Sequence, residues 1–250
     1  MAQDRIFETE KLGDEPFRFD DAVARVFPDM LRRSIPGYAA SLEAIGSLAG
    51  RFVSDDTACY DLGCSLGGAT LAMRQGLNAE NVRIIAVDNA PAMTSRLEKI
   101  IEVDDAARAE AGAAPVPVDI VLGDLRDTPI ERASMVVLNY TLQFVPLEER
   151  DAVIERIAAG LVPGGVLVLS EKVVDEDPRM ESLLVDLYHE HKRRNNYSAK
   201  EIARKRAALE NVLVPETISA HRQRLERAGF EGFTVWLRYF NFVSMIATRP

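Results

Sequence analysis

Cysteine and histidine are both scarce in this sequence, with two and three residues among 250. Cys59 and Cys64 lie on a predicted strand and on the turn after it, a placement that suits neither a disulfide framework nor a metal site. We interpret both as free thiols in a reducing cytoplasm, with Cys59 in the core. His189 and His191 are two positions apart, so on a helix they point to different faces and do not favour a shared metal ion. His221 is expected to be exposed, and no metal is predicted.

Long apolar runs and excess positive charge are absent as well. No apolar run is long enough to cross a membrane, and the charged N-terminus, MAQDRIFETEKLGDEPF, has no signal-peptide core. The net charge of −9 argues against nonspecific binding to a nucleic-acid backbone. We therefore expect a cytoplasmic protein that binds neither membranes nor nucleic acid directly. Its 250 residues can bury one sizeable core, so a single domain is the simplest organisation.

Short apolar runs alternate with helical stretches along the chain. The runs are TACYDLG, VRIIAVD, PVDIVLGD, ASMVVLN and GGVLVLSE. Each is continuous rather than alternating in polarity, as in strands that are covered on both faces. This order predicts an α/β, doubly wound, mostly parallel sheet with right-handed crossovers. The segment GFTVWLRYFNFVSMIATRP supplies two closing strands.

We divide the single domain, 1–250, into four parts by these patterns. They are an N-terminal helical cap (1–53), the core nucleotide-binding half (54–175), a helical insertion after the fifth strand (176–214), and a closing helix with strands (215–250). Ser198 and Glu201 form a capping-box pattern at a helix start, and Gly229 suits a left-handed helix end. The Ala-rich segment EVDDAARAEAGAAP either extends a helix or forms a surface loop.

The stretch YDLGCSLGG, residues 60–68, places several glycines where the first strand meets the first helix of the sheet. A glycine at this junction is needed in any doubly wound sheet, so packing alone is one explanation. A dinucleotide site would need G-x-G-x-x-G. Ser65 stands where the second glycine of that pattern belongs, between Gly63 and Gly67, so the indication for NAD is weak. Asp61, just before the first glycine, instead suits a cationic amino-acid group.

Polar residues follow the other predicted strands too. Asp88 ends the second strand, where a carboxylate can accept both hydroxyls of a ribose, although a helix N-cap is an alternative role. Asp124 and Leu125 end the third strand, where an adenine could be met, and Asn139 ends the fourth. In open sheets of this kind, ligands bind at the carboxyl ends of the strands. The combination resembles the class I S-adenosyl-L-methionine (SAM)-dependent methyltransferase fold, which implies seven strands with an antiparallel last strand.

Longer blocks carry a narrower resemblance. VFPDMLRRSIPGY, YDLGCSLGGATL, AVDNAPAM, ASMVVLNYTLQF, GGVLVLSEK and YSAKEIARKRAALENV together resemble the carboxy-S-adenosyl-L-methionine synthase family. The blocks run from about residue 13 to the C-terminus. DLGCS and LNYTLQF are more specific than a generic glycine turn. The departures are the longer EVDDAARAEAGAAP segment and Gly68, where alanine is usual and where glycine would loosen the first helix slightly.

The resemblance implies an unusual reaction, in which the methyl group of SAM is carboxylated rather than transferred. Prephenate supplies carbon dioxide and leaves as phenylpyruvate, and the departing hydroxide serves as the base. The sulfonium makes its methyl protons acidic, so the protein need only orient SAM, hold the prephenate dianion and exclude water. The product, carboxy-SAM, would serve a tRNA carboxymethyltransferase in wobble uridine modification. The resemblance also implies a homodimer.

Site residues follow from the matching motifs. Tyr38 would close the pocket; Gly63, Cys64 and Ser65 border the amino-acid part of SAM; Asp88 and Asn89 take the ribose; Asp124 and Leu125 take the adenine; Asn139 lies under the sulfonium; Arg206 pairs with the added carboxylate. Without the resemblance, the stretch HKRRNNYSAKEIARKR is a solvated basic helix face. Two other functions stay open, namely an ordinary small-molecule methyltransferase and a SAM-binding scaffold without activity.

Overall fold

The protein is built on a single mixed β-sheet. The computed structural model describes residues 3–8, 17–210 and 212–250. The strands are β1 (Ala58–Leu62), β2 (Arg83–Asp88), β3 (Val118–Leu122), β4 (Ala133–Asn139), β5 (Leu161–Lys172), β6 (Glu231–Tyr239) and β7 (Phe242–Thr248). Their order in the sheet is β3-β2-β1-β4-β5-β7-β6. The first five strands run parallel, whereas β7 is antiparallel to both β5 and β6. This confirms the predicted doubly wound sheet with its antiparallel last strand.

Helices cover the sheet in the order that the alternating pattern predicted. They are α1 (Asp21–Ser34), α2 (Tyr38–Phe52), α3 (Gly68–Gly76), α4 (Pro91–Glu110), α5 (Arg150–Gly160), α6 (Pro178–Arg194), α7 (Ala199–Leu209) and α8 (Ile218–Arg227). Helices α1 and α2 precede the sheet, and α3, α4 and α5 connect parallel strands. Helices α6 and α7 follow β5, where the insertion was expected. The Ala-rich segment extends α4 as far as Glu110, the first of the two alternatives.

The central strands are buried on both faces, as continuous apolar runs require. All residues of β1 are buried, and so is every residue of β4 except the last, Asn139. Alternate residues of β1 face opposite layers. Tyr60 belongs to the core cluster that contains Ile154 of α5, while Cys59 packs in the cluster of Met73 of α3. The sheet therefore separates two apolar layers, and a polar residue such as Asn139 lies at the carboxyl end of its strand.

Two predicted helix ends are confirmed. The Ser198 Oγ accepts from the backbone N–H of Glu201, and a Glu201 carboxylate oxygen accepts from the N–H of Ser198 over 2.8 Å. Gly229 follows α8 with φ +86, and the N–H of Phe230 donates to the carbonyl of Leu225 over 3.0 Å. Left-handed glycine lets the chain turn back onto the sheet at this point.

The expected exposure of His221 is wrong, because this residue is 1% exposed. Helix α8 packs against α5. The imidazole lies near Glu216 and Arg150, and burial lowers its pKa to about 4. Glu216 joins Arg150 to Arg224 through two ion pairs. The charged appearance of α8 in sequence therefore reflects a buried ion-pair network rather than a fully solvated face.

Candidate active site

A cavity of about 720 Å³ opens at the carboxyl ends of the parallel strands. Its volume falls within the range of small-molecule sites, about 300–1,000 Å³. Helices α1, α2, α6 and α7 complete its walls. The predicted site residues that line it are Tyr38, Gly63, Cys64, Ser65, Asp88, Asn89, Asp124, Leu125, Asn139 and Arg206. The structure thus brings the whole predicted set into one cavity, while the role assigned to each residue stays a prediction.

Contacts within the chain fix the conformation of the turn after β1. Gly63 has φ +79, and a Cβ on it would lie 2.3 Å from Cγ2 of Thr141, so a side chain is excluded there. Ser65 is itself left-handed, with φ +51, and its N–H donates to Oδ2 of Asp88 over 2.8 Å. Burial raises the pKa of the Cys64 thiol. That thiol stays protonated and is unsuited to act as a nucleophile.

Asp88, at the end of β2, lies between two backbone amides. Besides the bond from Ser65, its Oδ1 accepts from the N–H of Ala90 over 2.9 Å. Ala90, not Asp88, is the N-cap residue of α4, so the alternative role of Asp88 as the N-cap is wrong. Burial raises the pKa of Asp88. Each carboxylate oxygen still has accepting capacity, so the geometry allows the predicted contacts to ribose hydroxyls.

Asp61 is a buried carboxylate with one oxygen left for a ligand. Its Oδ2 accepts from the N–H and from Oγ1–H of Thr70, over 2.8 and 2.6 Å. No group of the described chain forms a hydrogen bond with its Oδ1. Burial, with a smaller contribution from the nearby Asp88, raises the pKa of Asp61 to about 6, against the hydrogen bonds from Thr70, which lower it. A cationic ligand group would offset this cost. Oδ1 of Asn139, also at the cavity, is buried without a partner in the described structure. These residues fit a cationic ligand such as SAM.

Asp124 has a partner that the sequence analysis missed. Arg126 donates to both carboxylate oxygens, over 3.0 and 2.7 Å, and also donates to Glu149 over 2.7 Å. The hydrogen bonds from Arg126 lower the pKa of Asp124. Asp124 therefore reaches the cavity as a fixed carboxylate, and any contact with an adenine amino group must use its remaining lone pairs.

Gly68 makes room for Tyr38. A Cβ at Gly68 would lie 2.7 Å from the hydroxyl oxygen of Tyr38. The Tyr38 ring also lies 6.4 Å from the ring of Tyr140. The glycine that replaces the usual alanine therefore lets the Tyr38 hydroxyl approach the first turn of α3, a consequence beyond the expected loosening of that helix.

Buried polar groups support the loop after β4, into which the LNYTLQF block extends. Glu171 accepts from the N–H groups of Leu142 and Gln143, each over 2.9 Å. Gln143 in turn accepts from the N–H of Lys172 over 3.0 Å. Arg150 is fully buried and donates to the carbonyls of Val145 and Gln143. These contacts hold the loop that follows Asn139, and the sequence analysis did not identify them.

Several cations line the end of the cavity formed by β5, α6 and α7. They are Lys172, Lys192, Lys205 and Arg206. His189 lies beside them, but burial and the neighbouring cations lower its pKa below the usual value. Sequence analysis predicted only Arg206; Lys192 and Lys205 lie in the stretch that was otherwise interpreted as a solvated face, and Lys172 was given no role. The position of Lys172, directly after the apolar run of β5, was a usable signal, since polar residues at strand ends line such sites.

No three His, Cys, Asp or Glu side chains in residues 3–8, 17–210 and 212–250 come together as a metal site. No helix in those ranges is both long and apolar enough to cross a membrane.

Solved structures share the fold at low sequence identity. A putative SAM-dependent methyltransferase from Methanococcus maripaludis has a TM-score of 0.58 at 20% identity, covering 94% of this chain and 96% of that one. Human N-acetylserotonin methyltransferase, solved with SAM, has a TM-score of 0.61 at 18% identity, covering 92% of this chain and 55% of that one. At these identities, the likeness shows the fold alone.

Sequence comparisons are closer. A methyltransferase-domain family model matches residues 60–165. The carboxy-S-adenosyl-L-methionine synthase of Salmonella arizonae is 50% identical over 239 residues, covering 96% of this chain and 93% of that protein. The enzyme of the same name from Escherichia coli O1:K1 is 49% identical over the same length and coverage. The chain therefore belongs to the carboxy-S-adenosyl-L-methionine synthase family.

Proposed function

We propose that this protein is an enzyme that converts SAM and prephenate into carboxy-SAM, phenylpyruvate and water. One observation supports this choice beyond family membership. Arg206 lines the same cavity as Asp61 and Asp88, and no described side chain forms an ion pair with it. Ordinary methyl transfer needs no cation beside the methyl group. Carboxy-SAM carries a carboxylate there, and a guanidinium can bind it with two parallel hydrogen bonds.

The reaction balances without another reagent. Prephenate loses its ring carboxyl as carbon dioxide, and the electron pair of the broken bond makes the ring aromatic and expels hydroxide. The hydroxide takes a proton from the methyl group of SAM and becomes water. The methyl carbon then forms a bond with carbon dioxide, giving carboxy-SAM beside phenylpyruvate. No protein nucleophile is required, which accords with the protonated, buried Cys64 thiol.

The described residues would orient and shield the reactants. Asp61 and Asn139 face the cationic part of SAM, and Asp88 holds the ribose. Tyr38 closes the cavity above them. Burial of the cavity would keep water from competing for carbon dioxide. It would also keep the electrostatic contacts between these residues and SAM strong.

A turnover assay tests the proposal. Purified protein is mixed with SAM and prephenate, and phenylpyruvate and the nucleoside products are measured by absorbance and mass spectrometry. We expect phenylpyruvate and carboxy-SAM in equal amounts, and neither without protein. Formation of S-adenosylhomocysteine with a methylated acceptor would instead support an ordinary methyltransferase, and SAM binding without turnover would support a scaffold.

The remaining expectations belong to the same proposal. The product would pass to a separate tRNA carboxymethyltransferase, since the chain itself is acidic and has a net charge of −9. We also propose that the protein acts in the cytoplasm as a homodimer. Light scattering tests the dimer directly.

A further inference from the structure

The basic end of the cavity contains more positive charge than one added carboxylate requires. Lys172 ends β5, Lys192 lies on α6, and Lys205 precedes Arg206 on α7. All four line the cavity, in a chain whose net charge is −9. Like charges at close range repel each other, so such a cluster needs a compensating anion.

The two lysines nearest to Tyr188 form no ion pair in the described structure, although Asp4 lies near enough to Lys192, and Glu181 to Lys172, to attract their charges. The ammonium of Lys192 lies 4.4 Å from the centre of the Tyr188 ring, and that of Lys172 lies 5.5 Å from it. Neither ammonium forms a hydrogen bond or an ion pair with the described residues. Lys205 differs, because it donates to Oγ of Ser34 over 3.0 Å. The ring attracts both cations, but it does not neutralise them.

Burial makes these free cations costly. Lys192 is only 5% exposed. Burial, followed by repulsion from Lys205 and Lys172, lowers the pKa of Lys192 well below its usual value, and the attraction of Asp4 only partly opposes this shift. The pKa of Lys172 is also lowered by burial, with Glu181 opposing and Arg206 adding to the shift. An unpaired buried charge is unfavourable unless a ligand supplies its partner.

The charges in the cavity are segregated. Asp61, Asp88 and Asp124 lie at the end formed by β1, β2 and the turn after β3, where the cationic SAM is expected. The lysines lie at the end formed by β5 and α6. Two carboxylates, Glu181 and Glu210, also line the cavity. Glu181 lies near enough to Lys172 to attract its charge, but neither carboxylate forms an ion pair with these lysines in the described structure. The cavity therefore has one end for a cation and another for an anion.

We propose that Lys172 and Lys192 bind the carboxylates of the second substrate, a small dicarboxylate, while Arg206 is left for the carboxylate of the product. This inference rests on the proposed function and deepens it by assigning the prephenate subsite. Lys172 and Lys192 are positioned on separate elements, a strand end and a helix, so they can contact two different carboxylates of one ligand.

Lys172→Gln and Lys192→Gln test the subsite, with the exposed Lys99→Gln of α4 as a matched control. We expect each cavity variant to raise the KM for prephenate by roughly tenfold or more, and to change SAM affinity by less than about twofold. The control should match the wild type. Prephenate should raise the melting temperature of the wild type and of the control more than that of either cavity variant.

Stability of the ligand-free protein separates binding from a structural role. Lys192→Gln removes a buried charge, so its melting temperature without ligand should equal or exceed that of the wild type. An unchanged KM and an unchanged prephenate-induced shift in both variants would overturn the subsite. So would equal losses of prephenate and SAM binding. If the wild type fails to turn over prephenate, the proposed function fails, and the lysine dependence of the prephenate-induced shift still decides the subsite.

Discussion

Replacing Asp61 with asparagine should strengthen the ligand-free fold and weaken SAM binding at the same time. Asparagine keeps an oxygen that can accept both hydrogen bonds from Thr70. It removes only the buried negative charge. A rise of the Asp61 pKa from 3.8 to about 6 corresponds to about 3 kcal/mol against the ionised form in the fold.

The sign of the pH dependence follows from this rise. The pKa of Asp61 in the folded state lies above its unfolded value. The contribution of protonated Asp61 to the free energy of unfolding is therefore complete below pH 3.8 and is lost as the pH rises to about 6. Above that pH, the ligand-free Asp61→Asn protein should be more stable than the wild type by up to about 3 kcal/mol. The two should converge in acid.

SAM binding should move in the opposite direction. A cationic ligand prefers ionised Asp61, so wild-type affinity should rise as the pH increases through about 6, and the Asp61→Asn profile should be flatter. At neutral pH the variant should bind SAM roughly tenfold or more weakly, because a charge-assisted contact is lost. Calorimetric titration and thermal melts across pH give both readouts. A variant that is less stable than the wild type at neutral pH, or that binds SAM equally well, would refute the reasoning.

Three further predictions concern ligand selectivity and partners. Asp88→Ala should weaken SAM binding by roughly tenfold or more. It should also lower the melting temperature, since Asp88 accepts hydrogen bonds from the backbone of Ser65 and Ala90. Unchanged calorimetric affinity in a folded variant would rule out the ribose role. Arg206→Ala should lose roughly tenfold to a hundredfold of its affinity for carboxy-SAM while changing far less for SAM. Arg206→Lys should also be impaired, since lysine lacks the planar fork, and the exposed Arg51→Ala serves as control; equal losses for both ligands would make Arg206 structural. Finally, a gel shift at physiological salt should show no tight tRNA binding, because a tRNA surface must neutralise several phosphates, and submicromolar affinity would contradict this.

The sheet was predictable because its sequence signals are local. Continuous apolar runs predicted the strands, and the polar residues at their carboxyl ends indicated the edge of the sheet where the ligand residues lie. Asp61, Asp88 and Asn139 could be placed at one edge because the carboxyl ends of parallel strands meet there. The capping box at Ser198 depended on residues only three positions apart.

What the sequence did not reveal depends on contacts between distant segments. The pairing of Arg150 with Glu216 joins residues 66 positions apart, and it buries charges that look solvated in sequence. His221 was expected to be exposed for the same reason. The bond from Ser65 to Asp88 and the support of the β4 loop by Glu171 also need the folded sheet.

The lysine cluster was the largest omission at the site. A charge run on a helix is usually a solvated face, and its spacing does not reveal that Lys192 is turned into a cavity. Only the folded chain brings Lys172, at the end of β5, and Lys192 of α6 to the same ring, that of Tyr188. The approach of Tyr38 to Gly68 was missed because these residues begin two different helices, α2 and α3, which meet only in the folded chain.

Tracing the ring carboxyl of prephenate tests the central claim most directly. Prephenate labelled isotopically in that carboxyl is incubated with SAM and the protein, and the nucleoside fraction is examined by mass spectrometry. The account predicts that the label enters the nucleoside, in an amount equal to the phenylpyruvate formed. Loss of the label as free carbon dioxide, with SAM unchanged or converted to S-adenosylhomocysteine, would contradict it.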